Sequence, residues 1–150
     1  MAFVWSAVQH SDQPQSLAVL NFRAADSGDE FIGIGISDTL RARLGSVEDL
    51  IVRPAAADSD AIDAGRRLHA DTVVRGSIFR DRGRIRVVVE MVDVVDGRII
   101  WGKTFDETAS NVFALQDTIA GEVAFAVSTL RSARSATDLI APRAAVLFAS

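Results

Sequence analysis

An α/β domain built on a mixed sheet is the fold class this sequence predicts, and three observations predict it. Leu17 to Phe22 is an apolar run without a charge, as expected of a strand covered on both faces. Ile32, Ile36, Leu40 and Leu44 then recur every four residues, which sets them in one stripe of an amphipathic helix. Further on, alternating stretches are punctuated by a turn at Arg80 to Gly83 and by Asp96-Gly97, a strong hairpin signal. The expected order is β-α-β-α-β-β-β-α: a mixed parallel/antiparallel sheet of about five strands, two right-handed crossovers setting the first three parallel and hairpins adding the rest, with helices packed on it.

Each element has its own local reason. The first strand opens at Ser16, and the loop RAADSGDE after it is rich in turn formers. The first helix carries Asp38, Arg41 and Arg43 on its polar side and ends at Gly45. Leu50 to Arg53 reads as a second short strand stopped by Pro54. A second helix is expected from Asp58 or Ser59, each a competent N-cap, with Ile62, Gly65 and Leu68 facing inward. Strands follow at Thr72 to Phe79, Arg84 to Val94 and Arg98 to Phe105. A two-residue loop at Asp81 and Arg82 would set Ile78 opposite Ile85 and Val74 opposite Val89 on an apolar face. The other face mixes Val73, Arg75, Ser77 and Phe79 with Arg84, Arg86, Val88 and Glu90. The second hairpin has two readings: a two-residue turn opposes Glu90 to Lys103, and a bulged turn puts Trp101 beside Met91. The last helix begins after Ser110 or Asn111, and Val112, Leu115, Ile119, Val123 and Leu130 form its inner stripe. The predicted core holds Leu17, Val19, Leu20, Ile36, Leu40, Val74, Ile78, Val87, Val89, Leu115 and Ile119.

Composition sets the outer limits. One globular domain fits 150 residues of which 49% are hydrophobic and 24% charged. A net charge of −4 gives no general attraction to nucleic acid or to an anionic membrane, so any basic patch is local. The absence of cysteine excludes disulfides, thiolate chemistry and cysteine-bound zinc. Residues 1–15 read as a linker or membrane-proximal segment: MAFVWSAV is shorter than the ~20 residues of a membrane span and lacks the charged start of a signal peptide. It is either the end of a membrane helix or an element docked on the domain. Residues 16–131 make the domain, and 132–150 read as a C-terminal linker, with Pro142 marking a break.

Five blocks, SLAVLNF from Ser16, FIGIGISDTLRARL from Phe31, LIVRP from Leu50, the run from Gly65 to Phe105 and NVFALQDTIAGEVA from Asn111, resemble in order and spacing the TolB-like amino-terminal domain family of bacterial multidomain regulators and adenylate cyclases. The resemblance covers about 115 residues, Ser16 to about Leu130. In that family the module is usually joined to a winged-helix DNA-binding domain, a nucleotide cyclase or a kinase. It implies a non-catalytic regulatory, sensory or interaction module of a larger bacterial signalling or transcription-regulating protein, and brings no catalytic residue and no cofactor. The chain departs from the family at Gly35-Ile36-Ser37, where an acidic residue followed by glycine is common.

Residues able to carry chemistry are few. Gly33-Ile34-Gly35 after a strand falls short of a dinucleotide fingerprint, because the third glycine position is Asp38, whose charge would repel a pyrophosphate. These glycines instead suit close packing of a helix start on the sheet. His10 and His69 have no partner at ligand spacing, and His69 suits a helix end. No metal, cofactor or catalytic residue is expected. The one local charge feature is a run of arginines, Arg75, Arg80, Arg82, Arg84, Arg86 and Arg98, on the hairpin strands and their turns. Because Asp81, Glu90, Asp93 and Asp96 share those hairpins, a solvated strand face is the plain reading. Arg75, Phe79, Arg84, Arg86 and Val88 form the candidate interaction patch, meeting a protein partner, an adjacent domain or a second copy. Nucleic acid is not an expected partner; an arginine-lined site for an anionic ligand or nucleic acid is the alternative reading. The parent protein is either membrane-anchored or cytoplasmic.

Overall fold

The computed structural model describes residues 15–55 and 60–149, with side chains through residue 132. It contains β1 (Ser16–Leu20), β2 (Arg23–Ala24), a 3₁₀ turn (Ser27–Asp29), α1 (Glu30–Gly45), β3 (Ile51–Ala55), α2 (Ala61–Arg67), β4 (Thr72–Asp81), β5 (Arg84–Asp93), β6 (Ile99–Thr108), a second 3₁₀ turn (Ala109–Asn111) and α3 (Val112–Ala149). The sheet is mixed and six-stranded, in the order β3-β1-β4-β5-β6, with β2 pairing off this path onto β4. β3, β1 and β4 are parallel; β5 and β6 run antiparallel. The reading of Met1 to Val8 lies outside the described residues, and none of the described helices is long and apolar enough to cross a membrane.

Two apolar layers sandwich the sheet. Leu17, Val19, Val74, Ile78, Val87, Val89 and Met91 face α1 and α3, whose Ile32, Ile36, Leu40, Leu44, Leu115, Ile119 and Val123 complete the larger core. Ala18, Leu20, Val73 and Val94 face the other way, onto Ala61, Ala64 and Ala70 at α2. All eleven predicted core residues are buried. The β1-to-β3 and β3-to-β4 crossovers run in opposite directions across the sheet, so crossovers of one hand leave α1 and α2 on opposite faces.

Several local details differ from expectation. The turn of the first hairpin is Arg82-Gly83, both at positive φ (50° and 78°), so Asp81 pairs with Arg84 and Ile78 with Val87. The register is two residues from the one expected, and an even shift keeps every side chain on its face. The second hairpin takes the bulged form: Met91 pairs with Trp101, Val92 with Ile99, and Gly97 has φ 71°. Pro54 sits within β3 rather than ending it, which an edge strand tolerates. β2 lies in the loop expected to be irregular. The N-cap of α2 is Asp60, accepting the N–H groups of Ile62 and Asp63, while Asp58 and Ser59 lie outside the described residues. Ala61, Ala64 and Gly65 are its buried positions, and Ile62 and Leu68 are half-buried. The inner stripe of α3 ends near Leu130, but the helix runs on to Ala149, past Arg131 and through Pro142.

The strand-to-helix junctions are tightly built. Ser37 Oγ accepts the Phe22 N–H at 2.8 Å and donates to the Gly33 carbonyl at 2.7 Å, closing β1 onto α1. A Cβ at position 33 would overlap the Phe22 carbonyl, which explains glycine there. Arg41 Nη2 donates to the Val19 carbonyl and to Asn21 Oδ1, both at 2.8 Å, and joins the ends of β1 and β3 through the Ala55 carbonyl. α2 ends in a Schellman motif: Ala70 N–H bonds to the Gly65 carbonyl and His69 N–H to that of Arg66, with His69 at φ 56°.

Candidate functional site

Cross-strand pairing decides where the five patch residues go. Arg75 is opposite Glu90, Ser77 opposite Val88, and Phe79 opposite Arg86; β6 continues the rows with Thr104 beside Val88 and Asp106 beside Arg86. Strand side chains alternate between faces, so Arg75, Phe79, Arg84, Arg86 and Val88 all lie on the face opposite α1 and α3. α2 covers only the part of this face over β1 and the start of β4. The last helix, which could have covered the rest, packs on the far side through Leu115, Ile119 and Val123 and through Lys103 Nζ to Glu122 Oε1 at 3.0 Å. Phe79 is therefore 47% exposed, and Val88 is half-buried.

Two of the three arginines of this face are matched to carboxylates. Arg75 Nε meets Glu90 Oε1 at 3.1 Å, and Arg86 Nε meets Asp106 Oδ1 at 2.9 Å. The hydrogen bond that Arg86 donates to Asp106, then the charge of that carboxylate, hold the guanidinium above its ordinary pKa. Arg84 adds the smallest of several influences that lower the Glu107 carboxyl, behind the Thr108 N–H and the Asn111 amide. The other arginines of the run diverge. Arg80 turns to the opposite face, where Nη1 donates to the buried Asp29 at 3.0 Å; Arg82 occupies the turn; Arg98 approaches Asp96 at 3.8 Å. Six arginines close in sequence thus leave three on the open face.

Pairing of this kind favours a mixed polar and apolar contact over a purely anionic ligand. An isolated phosphate or carboxylate would have to compete with Glu90 and Asp106, each already bonded at close range.

Beside the patch is a cleft of about 270 Å³ between the end of β1, the start of α2 and the middle of β4 and β5. Asn21, Arg23, Asp60, Arg75, Ser77 and Glu90 line it. Asn21, Arg23 and Asp60 were not among the candidates from sequence. The signal that points to them is topological: α1 and α2, the helices that follow β1 and β3, lie on opposite faces, and a crevice opens at the strand ends between them. Several of its polar groups already have structural work, Asp60 capping α2 and Asn21 bonding Arg41. Gly33 and Gly35 face the Phe22 carbonyl and Gln116 of α3, so the glycine pair serves packing. Among the described residues no group of three or more His, Cys, Asp or Glu could hold a metal ion.

No family model matches the chain. Among curated proteins it is similar to the Tol-Pal system protein TolB of Alkalilimnicola ehrlichii, 35% identical over 104 residues that make up 63% of this chain and 24% of that protein. It is also similar to a putative adenylate cyclase 3 of Rhizobium meliloti, 27% identical over 113 residues, 69% of this chain and 19% of that protein. Among solved structures, TolB of Acinetobacter baumannii superposes with a TM-score of 0.52 at 16% identity, covering 73% of this chain and 27% of that one. The fold is TolB-like. The same fold appears in the PelC dodecamer of Paraburkholderia phytofirmans, with a TM-score of 0.57 at 20% identity over 74% of this chain and 86% of that one. The chain spans about a fifth to a quarter of the two curated relatives, 19% and 24% of their lengths.

Proposed function

We propose that this TolB-like domain is a non-catalytic interaction module of a larger bacterial signalling or transcription-regulating protein, and that it meets a protein surface through the open face of β4, β5 and β6. The observation that carries the reading is Phe79 and Val88 left uncovered by the described helices, rimmed by Arg75, Arg84 and Arg86. Apolar area edged by arginine is the composition of an interaction patch. Cross-strand ion pairs along that rim allow a polar protein surface to exchange partners with them without stranding a charge. In this reading residues 16–131 form the module and 132–150 lead onward, in keeping with a match to only a part of each longer relative. Its partner is an adjacent domain, another protein or a second copy.

Amide hydrogen exchange tests the reading. The segments carrying Phe79 and Val88 are expected to exchange more slowly in the full-length parent than in the isolated domain, and Arg84→Glu with Arg86→Glu should abolish the difference. Equal exchange in both contexts would remove the open face as the contact surface.

A further inference from the structure

The two edges of the sheet differ. β3 is short and interrupted by Pro54, which has no N–H to offer, whereas β6 runs for ten residues and no described strand pairs with its outer side. The two-residue turn at Arg82-Gly83 makes Asp81 and Arg84 a hydrogen-bonded pair, so even-numbered residues of β5 bond to β4 and odd-numbered ones to β6. The bond from Ala109 N–H to the Gly83 carbonyl agrees with this parity. On β6, then, Trp101, Lys103, Phe105 and Glu107 bond inward. The backbone N–H and carbonyl groups of Gly102, Thr104, Asp106 and Thr108 point out of the sheet.

We infer that β6 pairs antiparallel with β6 of a second copy, about a twofold axis at Phe105, joining two sheets into one. Charge selects both the occupant and the register. Outward groups must meet outward groups, so the axis passes through a residue of the strand. Centring on Lys103 or Asp106 places like charges opposite each other, and centring on Thr104 sets Lys103 against Phe105. Centring on Phe105 sets Lys103 of each copy opposite Glu107 of the other, two reciprocal pairs of opposite charge on neighbouring strands. α3 supplies an independent observation. Glu122 reaches Lys103 and thereby marks the flank of α3 that overlooks the open edge; Phe125, three residues on and 72% exposed, lies on that same flank. A second α3 brought alongside by the twofold would cover it. This inference stands on the edge of the sheet and not on its open face, so it holds or falls separately from the interaction reading above.

Sedimentation velocity of the 150-residue chain across a concentration series is expected to show a monomer–dimer equilibrium. Lys103→Glu and Glu107→Lys should each shift it to monomer, and the double variant should restore the dimer. A fold defect would not be repaired in that way. The chain has no cysteine, so cross-linking can report the register directly. Mixing a Thr104→Cys chain with an Asp106→Cys chain under oxidising conditions should give a disulfide-linked heterodimer, and neither variant alone should do so efficiently, because position 104 lies opposite 106. A wild type that stays monomeric at the highest concentration, a dimer indifferent to the charge swap, or Thr104→Cys linking to itself as readily as to Asp106→Cys would each overturn the inference.

Discussion

Three glycines meet alanine in different ways, and their substitution tests the backbone account with one chemical change. Gly97 has φ 71°, and the nearest neighbour of a methyl placed there would be Ile62 Cδ1 at 3.9 Å, so only the left-handed conformation opposes a side chain. That conformation costs an L residue ~1–2 kcal/mol, and the narrower unfolded ensemble of alanine returns ~0.4–1 kcal/mol, leaving a net loss of about 1 kcal/mol for Gly97→Ala. Gly45, the last residue of α1, also faces open space but without a positive φ, so Gly45→Ala should stabilise by ~0.5–1 kcal/mol. Gly33→Ala drives a methyl into the Phe22 carbonyl, which is backbone and cannot turn aside, so it should cost more than Gly97→Ala, ~1–3 kcal/mol or beyond. Urea unfolding of the three variants at neutral pH measures the order directly. A stabilising Gly97→Ala would refute the turn geometry, and a Gly33→Ala milder than Gly97→Ala would refute the close approach of α1 to the end of β1.

Leu40 is wholly buried between α1 and the sheet, and Leu40→Ala should cost ~2–5 kcal/mol in the same assay; a loss below about 0.5 kcal/mol would remove it from the core. Asp60→Ala, which strips the N–H groups of Ile62 and Asp63 of their cap, should cost about 1 kcal/mol, and a neutral result would leave α2 without the start described. Burial raises the Asp71 carboxyl above 3.8, outweighing the N–H groups of Gln15 and Ser16 and the hydroxyl of Thr72 that favour its charge. The folded state therefore binds this proton more tightly than the unfolded state, and the stability contributed by Asp71 is present below the unfolded value and lost as pH rises through the folded one. Relative to Asp71→Asn, the wild type should lose stability from about pH 4 upward until that carboxyl is ionised, and a difference that grows in its favour over that range would show the sign to be wrong. Thermal-shift measurements with ATP, a cyclic nucleotide or zinc should show no saturable stabilisation, whereas a ligand at a hundredfold its Kd would add ~2.7 kcal/mol and be plain to see.

What the sequence disclosed, it disclosed through periodicity. Ile32, Ile36, Leu40 and Leu44 face inward on the sequence alone, because a four-residue recurrence has one helical interpretation, and all four are buried. Alternation along β4 and β5 placed Arg75, Phe79, Arg84, Arg86 and Val88 on one face for the same kind of reason. Turns were less legible. In Asp81-Arg82-Gly83 two residue pairs could close the hairpin, and the choice of Arg82-Gly83 rests on Arg82 accepting φ 50°, a conformation arginine seldom adopts. The faces survived that error only because the shift was even. The bulge that brings Trp101 beside Met91 depends on how the strands twist together, which no local pattern encodes. The cleft lined by Asn21 and Asp60 was hidden for a different reason: residues nearly forty positions apart converge there through a crossover, and neither belongs to a recognisable motif.

The bare end of the sheet follows from the order of elements. A crossover helix is laid on the sheet wherever two parallel strands are joined, so β1, β3 and β4 receive α1 on one face and α2 on the other. β5 and β6 are added by hairpins, which bring no helix, and among the described residues α3 is the one helix that follows them. One helix can cover one face. It takes the side where Val87, Val89, Met91 and Phe105 present a continuous apolar surface, because burial there gains more than on a face interrupted by arginine and glutamate. α2 cannot extend its own cover, since seven residues make a helix of only about 10 Å. The strands then satisfy the uncovered face among themselves, Arg75 with Glu90 and Arg86 with Asp106, but Phe79 and Val88 have no such recourse. Solvated strands gain nothing from a phenylalanine in that position. Its presence beside neutralised arginines is the reason to look for a protein surface opposite it.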